Sequence, residues 1–407
     1  MELDMTKGSP SKLITKFIIP IIIGNIFQQL YSMVDTIIVG RFVGVDALAA
    51  VGATGSVSFL ILGFTQGLTT GFTVLTAQRF GAGDREGMRK SIGSAAILSV
   101  IVTIVMTTVS MVSMDGLLRM MNTPEDIFDM TKEYIMIICA GIACNVLYNL
   151  LSSILRAIGN SVVPLVLLVI ASVTNIVLDY VLIVYGHMGV GGAAYATIIS
   201  QGLSGVLCLI YIIKSVPTLH IRLEHCRLES QCVKNQLTVG IPMALQFSIT
   251  AIGSIILQTA VNTLGTVSVT AVTAASKLQM ILTGPMECLG ITMATYCGQN
   301  RGAREFERIR SGIRTSVVVS MIYCVASAVL IIVLGGWMAL LFLDASETEV
   351  MAQVKEYLRL NAYFYPTLGL LFILRNGLQG MSYSFLPMMA GVTELIARVL
   401  VCVAFVP

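Results

Sequence analysis

The sequence predicts an all-α integral membrane protein built from two parallel six-helix repeats, with the last helix of the second repeat missing. Three observations lead to this fold class. Hydrophobic residues make up 56% of the 407 residues and charged residues only 12%, whereas a soluble domain carries roughly 25% charged residues. Uncharged runs such as 47–78 and 91–114 exceed the roughly 20 residues of a bilayer-spanning helix. The two halves of the chain also repeat the same landmarks in the same order.

The internal repeat is carried by four landmarks, with offsets between 221 and 223 residues. They are Gln78-x-x-Gly81-Ala82 with Gln299-x-x-Gly302-Ala303, Lys132-Glu133-Tyr134 with Lys355-Glu356-Tyr357, Leu155 and Pro164 with Leu378 and Pro387, and Ile19-Pro20 with Ile241-Pro242. A nearly constant offset indicates duplication rather than chance. A duplicated apolar bundle is typical of secondary transporters, whose binding site lies where the halves meet.

The apolar runs predict eleven helices, because barrel strands would alternate in polarity over much shorter segments. In order, the helices lie near 14–41, 47–79, 91–113, 131–155, 162–186, 190–213, 236–262, 268–298, 312–342, 355–380 and 385–406. The repeat offset leaves the sixth helix, 190–213, without a counterpart. We therefore expect a twelve-helix protein whose last helix is missing from this chain.

The distribution of charge predicts the orientation. With the N-terminus assigned to the cytoplasm, 18 of the 25 Lys and Arg residues fall on the cytoplasmic side, as the positive-inside rule requires. The remaining residues are Arg41, Arg119, Lys132, Lys355 and Arg359 outside, and Lys277 and Arg398 within the membrane. Acidic clusters around Asp126 and Asp344 also fall outside. We expect a multi-pass protein of the cell membrane, with an N-lobe at 1–213, a cytoplasmic connecting loop at 214–234 and a C-lobe at 235–407.

Four polar residues of the N-lobe predict a cation site. An ionised side chain at the membrane centre costs at least about 2.5–3.5 kcal/mol, so each needs an explanation. Asp35 ends an uncharged stretch, Asn175 and Asp179 share one helix face, and Thr197 lies in the next helix. All lie roughly 9–12 Å below the outer ends of their helices. Carboxylate, amide and hydroxyl oxygens suit Na⁺, and two close carboxylates also suit H⁺. The alternative is that each acid separately satisfies polar groups near the outer surface.

The C-lobe shows a different pattern. Glu394 and Arg398 are spaced i, i+4 and predict a structural ion pair. Lys277 either extends its amine towards the membrane surface or acts as a cationic gate. Glu287, ten residues further on, is a candidate substrate carboxylate. Candidates for the substrate cavity are Gln29, Tyr31, Lys277 and Glu287.

Other chemistry finds little support in the sequence. The nine cysteines form no CxxC pair, and all three histidines fall in loops, so neither a metal cluster nor a catalytic triad is predicted. Gly81-Ala82-Gly83 is a turn rather than a nucleotide-binding loop, because no GK[ST] sequence follows it. We therefore predict no enzyme activity, no cofactor other than a coupling ion and no nucleic-acid partner.

The polar helix motifs, taken together, resemble those of the MATE family of multidrug and toxic-compound extrusion transporters, in its prokaryotic DinF-like branch. The motifs are Val34-Asp35 with Gly40, Gln78-x-x-Gly81-Ala82-Gly83, Leu155-Arg156-Ala157-x-Gly159-Asn160 with Pro164, Asn175-x-x-Leu178-Asp179, and Gly191-Gly192-Ala193-Ala194-x-Ala196-Thr197. The resemblance implies cation-coupled antiport, in which Na⁺ or H⁺ enters as an amphipathic or cationic compound leaves. It places the coupling residues at Asp35, Asn175, Asp179 and Thr197, with Na⁺, if used, on Asp35 and Asp179.

The resemblance does not extend to the NorM-like branch of the family, and three alternative functions were compared with it. The seventh predicted helix, 236–262, has no acidic residue, so a C-lobe cation site of the NorM-like branch is not supported. The nearest rival is a lipid-linked oligosaccharide flippase of the same superfamily, which would need more inward-facing cations than Lys277 and Arg398. A membrane-embedded enzyme or a channel would need constellations that the sequence lacks. We expect alternating access of the two lobes, in a monomer that contacts only small molecules and the lipid bilayer.

Overall fold

The computed structural model describes residues 2–121, 123–340 and 347–405, and all regular structure in these ranges is helical. The N-lobe contains α1 (Pro10–Phe42), α2 (Val45–Gly81), α3 (Arg85–Met120), α4 (Glu125–Ala140), α5 (Ile142–Ala157), α6 (Val162–Tyr180) with a π-helical turn (Val181–Tyr185), and α7 (Gly189–Ser215). Two short 3₁₀ turns, Pro217–Leu219 and Leu223–His225, lead to the C-lobe. The C-lobe contains α8 (Ser230–Asn262), α9 (Thr266–Gly302), α10 (Phe306–Ala339), α11 (Thr348–Gly380) and α12 (Phe385–Phe405).

The predicted all-α membrane fold is confirmed, with one difference in the fourth span. This span is bent by 47° where α4 meets α5, at Gly141. A Cβ atom at Gly141 would overlap the side chain of Ile198 in α7, so the glycine lets α7 pack into the bend. Among the described residues, eight helices are long and apolar enough to cross a membrane, or nine if α4 and α5 form one span. Within the described ranges, no counterpart of α7 follows α12.

Several helices extend beyond their predicted apolar limits. The third begins at Arg85 rather than 91, because Asp84 caps it by accepting a hydrogen bond from the Gly87 N–H at 2.8 Å. This backbone bond, with help from Arg79, holds the pKa of Asp84 below its ordinary value. The predicted external residue Asp344 and the predicted helix residue 406 lie outside the described residues.

Each lobe has its own hydrophobic core. In the N-lobe, residues such as Ile135, Ile142 and Val190 are completely or almost completely buried between α4, α5 and α7. In the C-lobe, α9 and α11 pack together through Leu278 and Leu358. Among the described residues, these two long helices do not meet the length and hydropathy criteria of a membrane span.

The two lobes are joined at one end of the bundle by a pair of symmetry-related glutamines. Gln78 Nε2 of the N-lobe donates to Gly380 O at 2.9 Å and to Ser382 Oγ at 2.8 Å. Gln299 Nε2 of the C-lobe donates to Ala157 O at 2.8 Å. Gln78 and Gln299 are repeat counterparts, and so are Ala157 and Gly380, with offsets of 221 and 223 residues. We call this end, formed by 78–82, 157–160, 299–303 and 380–382, the closed end.

Glycines bring the lobes into backbone contact at the closed end. A Cβ atom at Gly81 would overlap Gln299 O, and one at Gly302 would overlap Gln78 O. Further along α2, a Cβ at Gly67 would lie 2.8 Å from Ala244 N in α8. By contrast, Gly52 and Gly55 near the start of α2 have no described atom within 4 Å of the Cβ position. The lobes therefore touch at the closed end and leave α2 uncovered towards its opposite end.

Candidate functional site

The carboxyl-terminal end of α6 carries the buried polar residues of the N-lobe. Asn175 and Asp179 lie one turn apart on the same helix face, and their exposed fractions are 2% and 0%. Directly after Tyr180 the helix widens into its π-helical turn, an irregularity that is frequent at functional sites. The chain after this turn returns close to it, because Gly192 of α7 has no side chain and packs against Ile183 and Met188.

The Asp35 side chain, from α1, meets Asp179 across the lobe. The two carboxyl groups lie in direct contact, within hydrogen-bonding reach of each other. Asp35 Oδ1 and both carboxylate oxygens of Asp179 are buried, and no described residue donates a hydrogen bond to them. Two adjacent carboxylates in a water-poor environment repel each other unless a proton or a cation lies between them.

Asn175 and Thr197 complete a group of oxygen atoms around this pair. Asn175 Nδ2 donates to Thr197 Oγ1 at 3.5 Å, so α6 and α7 are joined beside the acids. Asn175 Oδ1 is buried and also has no hydrogen-bond donor among the described residues. The structure thus brings together all four residues that the sequence predicted as the cation-coupling site.

The donor set is suited to a hard cation or a proton. Carboxylate, amide and hydroxyl oxygens are the ligands that Na⁺-like hard cations prefer, and a buried acceptor without a donor is costly. The described residues contain no group of three or more His, Cys, Asp or Glu side chains that could hold a metal ion. The site therefore differs from a carboxylate-rich divalent site, because it offers two carboxylates and neutral oxygens.

Two tyrosines lie close to the acid pair. Tyr31, one turn before Asp35 on α1, and Tyr134 of α4 both lie near enough to feel the charges of Asp35 and Asp179. Tyr134 is 8% exposed and belongs to the N-lobe core. Sequence reasoning used Tyr134 only as a repeat landmark on the external side and did not name it as a site residue. The missed signal was its position nine residues into a helix, well past the acidic residues that begin α4.

The other cavity candidates do not join this group. Gln29 is half-buried on α1, and Lys277 and Glu287 are exposed on α9. None of these three is among the groups that act electrostatically on Asp35 or Asp179. Glu287 lies one turn after Gly284, whose Cβ position is 2.7 Å from Asn25 Oδ1 of α1, so this face of α9 is directed at the N-lobe.

Arg375 is a charged residue whose contacts sequence reasoning did not predict. It was counted with the cytoplasmic basic residues, but it lies within α11, half-buried, with its guanidinium 4.9 Å from the Phe372 ring centroid. It acts electrostatically on both Glu287 and Glu394. With the Gln246 amide oxygen facing it, Arg375 donates two hydrogen bonds of 3.0 Å from Nη1 and Nε. No pattern in the sequence indicated these contacts, because they join four different helices.

The predicted pair of Glu394 and Arg398 is present, with Arg398 Nη2 2.5 Å from Glu394 Oε1. The repeat offset of 223 makes Arg398 the counterpart of Asn175, and Cys402 the counterpart of Asp179. At the positions that correspond to Asn175 and Asp179, the C-lobe therefore has the positively charged Arg398 and the neutral Cys402, and it has no acid pair there. Only the N-lobe copy of this position can take up an exchangeable cation through two carboxylates.

The sequence model of the MatE family matches the chain twice, over residues 20–181 and 242–404. The chain belongs to the MatE family. Each match covers one lobe, so the family match also reports the internal duplication, and the family predicted from the sequence motifs is confirmed. Members of this family are membrane transporters, and a multi-pass protein that handles small molecules within the bilayer follows for this chain.

Individual relatives agree with this assignment. The chain is 32% identical over 377 residues to the probable multidrug resistance protein YpnP of Bacillus subtilis, covering 92% of this chain and 83% of the relative. It is 29% identical over 196 residues to the DNA damage-inducible protein F of Escherichia coli, covering 47% and 42%. These relatives favour a drug exporter over the oligosaccharide flippase that the sequence left open.

Solved structures reproduce the two-lobe arrangement. A multidrug resistance MATE family transporter of the MOP superfamily, solved in an outward-facing conformation, superposes with a TM-score of 0.92 at 25% identity, covering 99% of this chain and 90% of that one. A MATE protein in a bent conformation gives a TM-score of 0.88 at 26% identity, covering 95% and 86%.

Proposed function

We propose that the protein is a Na⁺- or H⁺-coupled antiporter that exports amphipathic or cationic compounds across the cell membrane by alternating access of its two lobes. The single observation that carries the coupling is the contact between Asp35 and Asp179, with three carboxylate oxygens that have no hydrogen-bond donor among the described residues. The kinship with multidrug resistance proteins supports the substrate class.

Coupling follows from the position of the acid pair. Asp35 lies on α1, which packs on α6 near its middle, through Gly24 and Leu168, and which contributes Phe17, nearer its beginning, to a core formed with the C-lobe helices α9 and α10. A cation bound between Asp35 and Asp179 draws α1 towards α6, whereas the ion-free pair repels and separates them. The ion thereby changes the packing of α1 beside the interlobe space, and drug and ion affect each other's affinity reciprocally.

The closed end supports alternating access as the mode of transport. The lobes meet there through three side-chain hydrogen bonds from Gln78 and Gln299 and through glycine contacts. Hydrogen bonds from amides to carbonyl oxygens exchange readily with water, each contributing about 0.5–1.5 kcal/mol. The seam is therefore able to open when the lobes rock, and the N-terminal assignment makes it the cytoplasmic gate.

The test is ion-driven efflux in proteoliposomes containing the purified protein. Ethidium efflux is measured with a Na⁺ gradient and a pH gradient applied separately, for the unchanged protein, for Asp35→Asn and for the control Asp46→Asn. Asp46 is an exposed acid at the start of α2, away from the site. We expect one of the two gradients to drive efflux, Asp35→Asn to abolish it, and Asp46→Asn to retain it. Undiminished gradient-driven efflux in Asp35→Asn would remove the acid pair from the mechanism.

A further inference from the structure

The amino-terminal segment crosses the closed end and contacts both lobes within four residues. Towards the N-lobe, Leu3 N–H donates to Ile158 O at 3.2 Å. A Cβ atom at Gly159, which has a φ of +83°, would overlap Leu3 O, so the glycine makes room for the segment. Glu2 accepts a hydrogen bond from the Thr218 hydroxyl and lies 3.8 Å from Arg85 Nη1.

Towards the C-lobe, Met5 is held more firmly. Its N–H donates to Gln299 Oε1 at 2.9 Å. Its carbonyl oxygen accepts from Asn300 Nδ2 at 3.2 Å and from Arg308 Nη2 at 3.1 Å. The Met5 side chain is fully buried in a core that includes Tyr296. The backbone of Met5 therefore has both of its hydrogen-bonding groups satisfied by side chains of the C-lobe.

Gln299 links this segment to the interlobe seam. Its side-chain oxygen accepts from Met5, while its side-chain nitrogen donates to Ala157 O at 2.8 Å in the N-lobe. Gln299 is fully buried, so both bonds are shielded from water. Losing the Met5 contact leaves a buried amide oxygen unpaired, which costs about 1–3 kcal/mol. The amino-terminal segment thus stabilises the rotamer of Gln299 that joins the lobes.

The attachments of the segment to the two lobes differ in strength, so we expect the weaker one to break when the lobes separate. The C-lobe attachment combines three hydrogen bonds, one of them from the Arg308 guanidinium, with a buried side chain. The N-lobe attachment has one backbone bond at 3.2 Å. The contacts of Glu2 with Thr218 of the connecting turn and with Arg85 are exposed, and exposed charged contacts contribute little. Hydrogen bonds from charged donors are roughly twice as strong as neutral ones. When the lobes separate, the segment remains on the C-lobe and leaves Ile158.

We propose that residues 2–6 form an amino-terminal latch, carried by the C-lobe, that must release Ile158 before the closed end opens and that therefore favours the state in which this end is shut. The proposal rests on the rocking of the lobes in the proposed function, and it goes beyond that function by assigning a gate-controlling role to residues outside the helices. The latch acts on the equilibrium between the two states and not on ion binding.

The test is hydrogen–deuterium exchange on the full chain in lipid nanodiscs, without substrate or ion gradient. Two variants remove the latch in different ways: Met5→Asp places a charge in the apolar pocket, and the second variant lacks residues 2–6. The matched control is Ser11→Asp, which adds the same charge at an exposed position of the first turn of α1, where an acid is tolerated. Peptides covering 155–161 and 296–304 report on the closed end, and a peptide covering 134–140 reports on the N-lobe core.

We expect several-fold faster exchange at the closed end in both latch variants, with the core peptide unchanged and with Ser11→Asp matching the unchanged protein. The proposal is overturned if neither latch variant accelerates exchange at the closed end. It is equally overturned if both variants accelerate exchange in the core peptide to the same degree, because the segment then supports folding in general. Neither readout depends on cation coupling, so the result is independent of the efflux test with Asp35→Asn.

Discussion

The Asp35 carboxyl group of α1 lies against the Asp179 carboxyl group of α6, although 144 residues separate them in the chain. Three of the four oxygens in this pair are buried without a hydrogen-bond donor among the described residues. An arrangement of this kind is unfavourable for folding alone, because like charges repel and buried acceptors lose their water. The exchangeable cation that we propose accounts for this arrangement.

Neutralising one acid is expected to stabilise the fold while it removes coupling. In Asp179→Asn the amide donates a hydrogen bond to Asp35, so repulsion is replaced by attraction, a change of about 1 kcal/mol or more. We expect a higher melting temperature for the purified ion-free protein and no gradient-driven efflux. A lower melting temperature would mean that the Asp179 carboxylate has a donor that the structure does not show.

Removing the C-lobe ion pair is expected to lower the stability slightly and to leave coupling intact, the opposite of the effects of Asp179→Asn. Arg398→Gln leaves the partly exposed Glu394 without its partner, which costs about 1 kcal/mol or less after screening by solvent. Because the C-lobe lacks an acid pair, we expect ion-driven efflux to persist, with only a small loss of thermal stability. Loss of ion dependence in Arg398→Gln, with the protein still folded, would instead assign coupling to the C-lobe.

Closely packed glycines at the closed end are expected to tolerate no side chain. Gly81→Ala and Gly302→Ala each place a methyl group on a backbone carbonyl of the other lobe, and such overpacking costs about 1–3 kcal/mol. We expect faster hydrogen exchange in 296–304 for both variants. Gly52→Ala is the control, because its Cβ position has open space and an alanine in a helix is favoured by roughly 0.5–1 kcal/mol. Equal exchange in all three variants would contradict the tight interlobe contact.

The helix cap at Asp84 is expected to make local stability depend on pH. The Gly87 N–H bond lowers the pKa of Asp84 from 3.8 in the folded protein. A lowered folded pKa means that the stabilisation is fully present above the unfolded value and is lost as pH falls through the folded value. Because Asp84 is partly exposed, the effect is below about 1 kcal/mol.

Hydrogen exchange at the start of α3 tests this cap. We expect the amides of 85–88 to exchange faster in Asp84→Ala than in the unchanged protein at pH 7. Asp84→Asn is the matched control, because an amide oxygen still caps the helix but does not titrate. Identical exchange in Asp84→Ala and Asp84→Asn would show that the cap contributes nothing measurable.

The sequence alone was sufficient to predict the membrane helices and the two acids of the candidate site. Long uncharged runs leave few alternatives to membrane helices, and Asp35 and Asp179 stand out because each interrupts such a run. Their equal depth then followed from counting residues along each helix. The resemblance of whole motifs supplied the family, which the match over both lobes confirmed.

What the sequence could not supply were contacts between helices. The bend at Gly141 depends on Ile198 of α7, and the place of Tyr134 near the acids depends on how α4 packs against α2 and α7. Arg375 was counted with the cytoplasmic charges, and its contacts were not predicted, because hydropathy cannot distinguish a charge near a helix end from one that is covered by other helices. Gln299 was visible as a repeat landmark, but its bond to Met5 joins residues 294 apart.

We propose that one exchangeable cation lies between Asp35 and Asp179 and competes energetically with the exported compound. The most direct measurement is the ethidium dissociation constant of the purified protein, titrated against Na⁺ at fixed pH and against pH without Na⁺. We predict that one of the two ions weakens ethidium binding by at least about fivefold, the lower end of typical coupling, and that Asp35→Asn abolishes this dependence. An Asp35→Asn protein that binds ethidium with the same ion dependence as the unchanged chain would contradict the account.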